Sequence, residues 1–101
     1  MLNINDIVER ISFFRNQKGL SARELSFKID KYDGYISKVE CKEFEIPLKN
    51  LLLVIDALDI SEEEFFARNY KTYKKDKELL MLIENLSDSQ REHLLEFIQN
   101  R

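Results

Sequence analysis

A single histidine (His93) and a single cysteine (Cys41) are all the chain offers toward zinc or thiol chemistry. A zinc site draws on a cluster of such ligands, and Cys41 has no second cysteine to pair with, which fits a reducing cytosol. Glu62, Glu63 and Glu64 run together, but at a helix start, where acidic residues complement the macrodipole rather than hold a cation. No nucleophile triad, catalytic carboxylate pair or phosphate-cradling glycine loop is present. The remaining chemistry is that of hydrogen bonding and charge, concentrated in Leu20 to Glu40, LSARELSFKIDKYDGYISKVE. The sequence therefore predicts a binding module with no cofactor and no metal, not an enzyme.

Two short helices joined by a turn must position those side chains. Ser21 caps the first, with Glu24 three residues on to complete a capping box, and Leu25 and Ile29 stack four apart behind it. In the second, Ile36 and Val39 share one face and leave Asp33, Gly34, Ser37 and Lys38 pointing away. Asp30 falls where the chain must turn sharply, and aspartate is one of the few residues besides glycine that accepts a left-handed backbone.

The rest of the chain reads as helix too. At 101 residues it makes one domain, or one domain with an appendage, and with only two glycines and one proline it favours long helices over strands and turns, hence an all-α fold. The spacing predicts a first helix capped by Asn5 or Asp6, carrying Ile7, Ile11 and Phe14 inward and ending at Lys18-Gly19. Helices two and three run from about Ser21 to Ile29 and from about Asp33 to Cys41. Pro47 opens a fourth, to Leu58, whose Leu48, Leu51, Leu52, Ile55 and Leu58 make it the centre of the core. Asp59 stands where glycine would end that helix, and Ser61 with Glu64 forms a capping box before Phe65 and Phe66.

These residues resemble the phage-repressor (Cro/cI-type, xenobiotic-response-element) helix-turn-helix family. The resemblance spans about residues 4–66. It rests on Ile7, Arg10-Ile11 and Arg15, KGLS at 18–21, REL at 23–25, YISKVE at 35–40 and IPLKNLLLVIDALDISEEEFF at 46–66. It implies a five-helix DNA-binding domain over residues 1–68 and double-stranded DNA as partner. The third helix would lie in the major groove, and the starts of helices two and four would hold phosphates. Carried over, the DNA-contacting positions are Arg23, Lys31, Tyr32, Asp33, Gly34, Ser37, Lys38 and Lys42. Lys31 and Lys38 can donate to guanine or phosphate, Ser37 can bond either way, and Asp33 can only accept, from cytosine or adenine amino groups. Asp33, Gly34 and Ala22, where the family often has glutamine, depart from its pattern. Arg23 can stand in for that glutamine. At Gly34 the missing side chain implies a close backbone approach or a partner that fills the space.

Residues 69–101 lie outside the family's domain. After a short connector, Lys74 to Asn85 carries Leu79, Leu82, Ile83 and Leu86 at helical spacing. Ser87 and Gln90 box the start of a last helix with Leu94, Leu95, Phe97 and Ile98 along one side. So short a hairpin cannot bury both apolar faces within itself, which predicts contact with the first domain or with a second copy. Leu53 is apolar where the family usually has a polar residue, and joins these as a dimerisation candidate. The reading is a cytoplasmic homodimeric transcriptional regulator, a repressor on a near-palindromic operator. The alternative is an interaction module of the same fold that offers Tyr32 and Asp33 to a protein or peptide regulator. The net charge of −3 is segregated: residues 56–68 hold five acids against one base, and the preceding residues hold nine bases against eight acids. No basic segment followed by an apolar one opens the chain, and no apolar run approaches the roughly 20 residues of a membrane span, so a soluble, unexported protein is expected.

Overall fold

The computed structural model describes residues 2–100; Met1 and Arg101, the ends of the two predicted segments, lie outside the described residues. The described residues are all-α as expected: α1 (Ile4–Gln17), α2 (Ala22–Lys28), α3 (Tyr35–Glu40), α4 (Leu48–Ala57), α5 (Glu62–Phe66), a 3-10 turn (Tyr70–Thr72), α6 (Tyr73–Glu84) and α7 (Asp88–Gln99). They fall into two compact units, divided between Ala67 and Arg68. No helix among them is long and apolar enough to cross a membrane.

In the first unit, Ile11, Phe14, Leu25, Ile36, Val39, Val54, Ile55, Leu58 and Phe65 are fully buried. The Phe14 and Phe65 rings stack at 5.9 Å, joining α1 to α5. Arg10 is buried beside them and its Nη1 donates to the carbonyls of Phe65 and Ala67, both at 2.7 Å. Those acceptors stand at the end of α5, where carbonyls lack partners within the helix.

Several expectations shift by a fraction of a turn. Asn3 caps α1, not Asn5 or Asp6; Asp6 is the residue that answers it, each side chain bonding the other's amide at 3.0 Å. The inward stripe of α1 is accordingly Val8, Ile11 and Phe14, and Ile7 is only half-buried. Pro47 is the cap of α4 rather than its first residue, with extended ψ of 150°. Leu51, Val54, Ile55 and Leu58 form the buried stripe of α4, while Leu48 stays 69% exposed and Leu52 turns outward. Leu52 lies a third of a turn off that stripe, and Leu48, on the first turn, lines an open groove with Ile4, Ile7 and Val8 of α1. At Ser61 only half of the box forms: its hydroxyl accepts from the Glu64 amide, and the return bond is not made.

Helix ends use non-glycine residues in the left-handed region at Asp30 (φ 59°), Lys42 (φ 65°) and Asp59 (φ 55°). After α3, the Lys42 amide donates to Val39 O and the Glu43 amide to Lys38 O, a Schellman closure that satisfies the last carbonyls. The box that opens α2 forms as the sequence predicts, Ser21 and Glu24 bonding reciprocally at 3.0 Å.

Those bonds from Ser21 hold the Glu24 carboxyl below its ordinary value of 4.5. A lowered folded value means the carboxylate's contribution to stability is complete above the ordinary value and is lost as pH falls through the lowered one. Glu24→Gln keeps a bonding partner and removes the titration. In thermal melts down the acidic range, wild type should therefore lose stability that the variant does not lose at the same step; identical profiles would refute the assignment.

In the second unit, α6 and α7 are joined by residues 85–87, and none of their described residues is buried. Ser87 and Gln90 make the predicted box, and Arg91 ties the junction by donating to the carbonyls of Ile83 (3.2 Å) and Glu84 (3.0 Å). Leu79, Leu82, Ile83, Leu95, Phe97 and Ile98 are all exposed, and Leu86 and Leu94 are half-buried. Leu80 and Met81, which the periodicity leaves out, are exposed as well. Ile83, Leu94, Leu95 and Ile98, with Arg91, line an open groove of about 270 Å³ between the two helices.

Candidate nucleic-acid interface

Local rules place α2 and α3, and three fixtures set the angle between them. The first is the turn. Asp30 in the left-handed region lets the Lys31 amide reach back to Ser26 O at 2.9 Å, so the chain reverses without leaving helical hydrogen bonds open. The second is Ser26, fully buried, whose Oγ donates to Ala22 O at 2.8 Å and accepts from the Ile36 amide at 3.0 Å. One hydroxyl thereby satisfies both helices at their crossing. Sequence reading missed it, because serine is ordinarily a surface or capping residue and its second partner lies ten positions away.

The third fixture is Arg15 with Glu40. Arg15 Nε and Nη2 meet the two carboxylate oxygens at 2.8 and 2.9 Å, and Nη1 donates to Leu20 O at 2.9 Å. Both side chains are largely buried, at 14% and 16% exposure. The bidentate carboxylate contact raises the Arg15 guanidinium above its ordinary value and outweighs the opposing effect of burial. The pair fastens the last residue of α3 to the end of α1, and so fixes the direction in which α3 projects.

Of the predicted residues, Lys31, Tyr32, Asp33 and Gly34 precede α3, Ser37 and Lys38 lie on it, Lys42 follows it and Arg23 lies on α2. Tyr32 is exposed and its ring meets that of Tyr35 edge-on at 5.9 Å. Tyr35 itself is buried, and its hydroxyl accepts from Asn50 Nδ2 at 2.8 Å, so it packs and links α3 to α4 rather than facing a ligand. Lys31 is half-buried, with Nζ 5.8 Å from the Tyr35 ring centre. Ser37 and Lys38 are exposed; Lys38 Nζ lies 3.8 Å from Glu43 and 5.5 Å from the Phe44 ring centre. Lys42 is exposed past the end of α3.

Asp33 and Gly34 take roles that the sequence did not reveal. Asp33 stands 3.3 Å from Arg23 Nε across the mouth between α2 and α3, both side chains open to solvent. Its charge is thus directed at Arg23, and this exposed pair is worth little to stability. Gly34 is the cap residue of α3, outside the helix, so the cost of an interior glycine does not arise there. A Cβ at that position would meet only Tyr32 ring carbons, at 3.6 and 3.9 Å, ordinary contact distances. Crowding in the free protein is therefore not the reason for glycine.

Two basic residues absent from the sequence-based set converge here. Lys28 on α2 and Lys49 on α4 join Lys31 around a cleft of about 470 Å³ that also touches Asp30, Pro47, Asn50 and Leu53. Pro47 gives α4 no side-chain cap, and Pro47, Lys49 and Asn50 at the start of that ten-residue helix line the same cleft. Leu53, read as a dimerisation residue, lines this cleft in the first unit. The arrangement can hold an anionic backbone: three lysines at an uncapped helix start, with Arg23 on α2 and Lys38 on α3 exposed to solvent.

Comparison with known proteins agrees with this geometry. A family model described as helix-turn-helix matches residues 11–65. A solved structure, the SinR protein/SinI protein complex, contains a chain 26% identical in sequence. The match covers 92% of this chain and 94% of that one, with a TM-score of 0.54. No curated protein matches. The matched residues hold both helices of the motif, the turn at Asp30 and the Arg15–Glu40 tie, and the chain belongs to the Cro/cI-type helix-turn-helix family of DNA-binding transcription regulators.

Proposed function

We propose that the chain is a repressor that binds a near-palindromic operator as a homodimer, with α3 in the major groove and the hairpin of α6 and α7 pairing the subunits. The observation that carries the DNA part is the convergence of Lys28, Lys31 and Lys49 at the uncapped start of α4, with Tyr32, Ser37 and Lys38 exposed before and along α3. Lys42, past the end of α3, adds a phosphate contact, and Arg23, steadied by Asp33, reaches a base edge or phosphate from the start of α2. The pairing part is supported by the second unit, which has apolar side chains along both helices and buries none of those described. Thirty-odd residues in that state need a partner to remain folded. The similar solved chain, matched over both units, comes from a complex of two proteins. A dimer seated on an operator blocks access to it, which makes repression the direct outcome.

Selection of bound duplexes from a random pool tests the reading. Enrichment of a near-palindrome with half-sites about one helical turn, or 34 Å, apart is expected. Absence of both enrichment and retardation at low salt would overturn it. One observation favours the interaction-module alternative: Phe27, on α2 beside Arg23 and Asp33, is 78% exposed. Under that reading the surface around Phe27, Tyr32 and Asp33 takes a protein or peptide regulator, and Phe27→Ala weakens its capture without touching DNA.

A further inference from the structure

The ten residues from Arg68 to Lys77, RNYKTYKKDK, hold five basic side chains and one acid, Asp76, whereas the rest of the chain carries eleven bases against eighteen acids. The Arg68, Lys71, Lys74, Lys75 and Lys77 side chains are all exposed. Folding alone gives no reason for this placement. Lys74 and Lys75 stand in the first turn of α6, where cations oppose the helix dipole, and α6 begins with no side-chain cap. The acid is engaged locally, Asp76 accepting from the Thr72 hydroxyl at 2.9 Å. Two tyrosines are interleaved with the lysines: Lys71 Nζ lies 5.9 Å from the Tyr70 ring centre and Lys77 Nζ 5.7 Å from that of Tyr73. Such contacts hold long side chains extended over a ring and cut the entropy lost when an anion is gripped.

We propose that this basic joint is a second, sequence-independent nucleic-acid contact, which grips duplex phosphates while α3 reads the bases. The proposal rests on the DNA-binding reading above and deepens it: an acidic chain whose motif, residues 20–40, holds four bases against four acids gains its net positive charge toward a polyanion at the joint. Covalent continuity with Ala67 keeps the joint tethered to the unit that carries α3.

The test replaces Lys71, Lys74, Lys75 and Lys77 together by glutamine, and in a second protein by arginine, in the full chain. Fluorescence anisotropy with a selected duplex and a scrambled one is then followed against salt concentration. Each lost phosphate contact reduces the slope of log affinity against log salt by about 0.9. The glutamine protein should therefore lose about 2 or more in slope as a dimer, and should weaken equally on both duplexes, leaving their ratio unchanged. The arginine protein should retain the wild-type slope. Removing cations from a helix start does not threaten folding, and circular dichroism verifies it. An unchanged slope in the glutamine protein, with wild type binding normally, overturns the joint's role and leaves the DNA-binding reading intact. No binding by wild type at low salt overturns both. Residues 78–101 carry two bases against five acids, so a rival role is pairing of the joint with the acidic part of a second copy. Weakened self-association in light scattering with an unaltered salt slope would establish that instead and reject the proposal.

Discussion

Replacing Glu40 with alanine should lower the unfolding free energy by about 2–4 kcal/mol, a large share of a small domain's stability. The loss comes from what stays behind. Arg15 would remain largely enclosed with its carboxylate gone, keeping the Leu20 carbonyl and a 3.4 Å approach to Asn16. Arg15→Ala should cost a similar amount, since it leaves the carboxylate enclosed. In a double-mutant cycle by urea denaturation, Arg15→Ala with Glu40→Ala should be far less harmful than the sum of the single changes, with a coupling above about 1 kcal/mol. Additive losses would show that the two groups do not act as a pair. DNA affinity should fall further than the unfolded fraction explains, because the pair aims α3.

The second large effect belongs to the hairpin. Ile83→Glu combined with Leu94→Glu places two carboxylates in the groove between α6 and α7, where pairing would need them desolvated. With the hairpin pairing the subunits as proposed, sedimentation or light scattering should then find a monomer at concentrations where the proposed wild-type dimer forms. The first unit, with its own core, should melt as before. Operator affinity should drop by about 10²–10⁴-fold, the gain that tethering two half-site contacts provides. A double variant that still dimerises would remove the hairpin from the subunit contact.

Much of the motif, and of the hairpin's turn, was legible because its determinants are local. Ser21 with Glu24, Asp30 in the left-handed turn, and Ser87 with Gln90 lie within a few residues of what they satisfy. Ile36 and Val39 announce a buried face by spacing alone. What escaped depended on elements far apart in the chain. Lys28 and Lys49 share a cleft only because the turn after α2 meets the start of α4. Asp33 has a reason only once Arg23 lies beside it. In α1, Ile7 and Val8 fit the periodicity about equally, and nothing local says that the core favours Val8. In α4 the leucines are alike in type, so sequence could not tell that Leu48 and Leu52 stay outside.

Arg10 has a mechanical consequence. A pull along the chain from Arg68 arrives first at Ala67, whose carbonyl is held with that of Phe65 by one guanidinium on α1. The load therefore passes from the five-residue α5 into the fourteen-residue α1, the longest helix of the unit, instead of peeling α5 from its end. Tension between paired hairpins and a bound operator would thus be borne by the same helix that, through Arg15, holds α3 at its working angle.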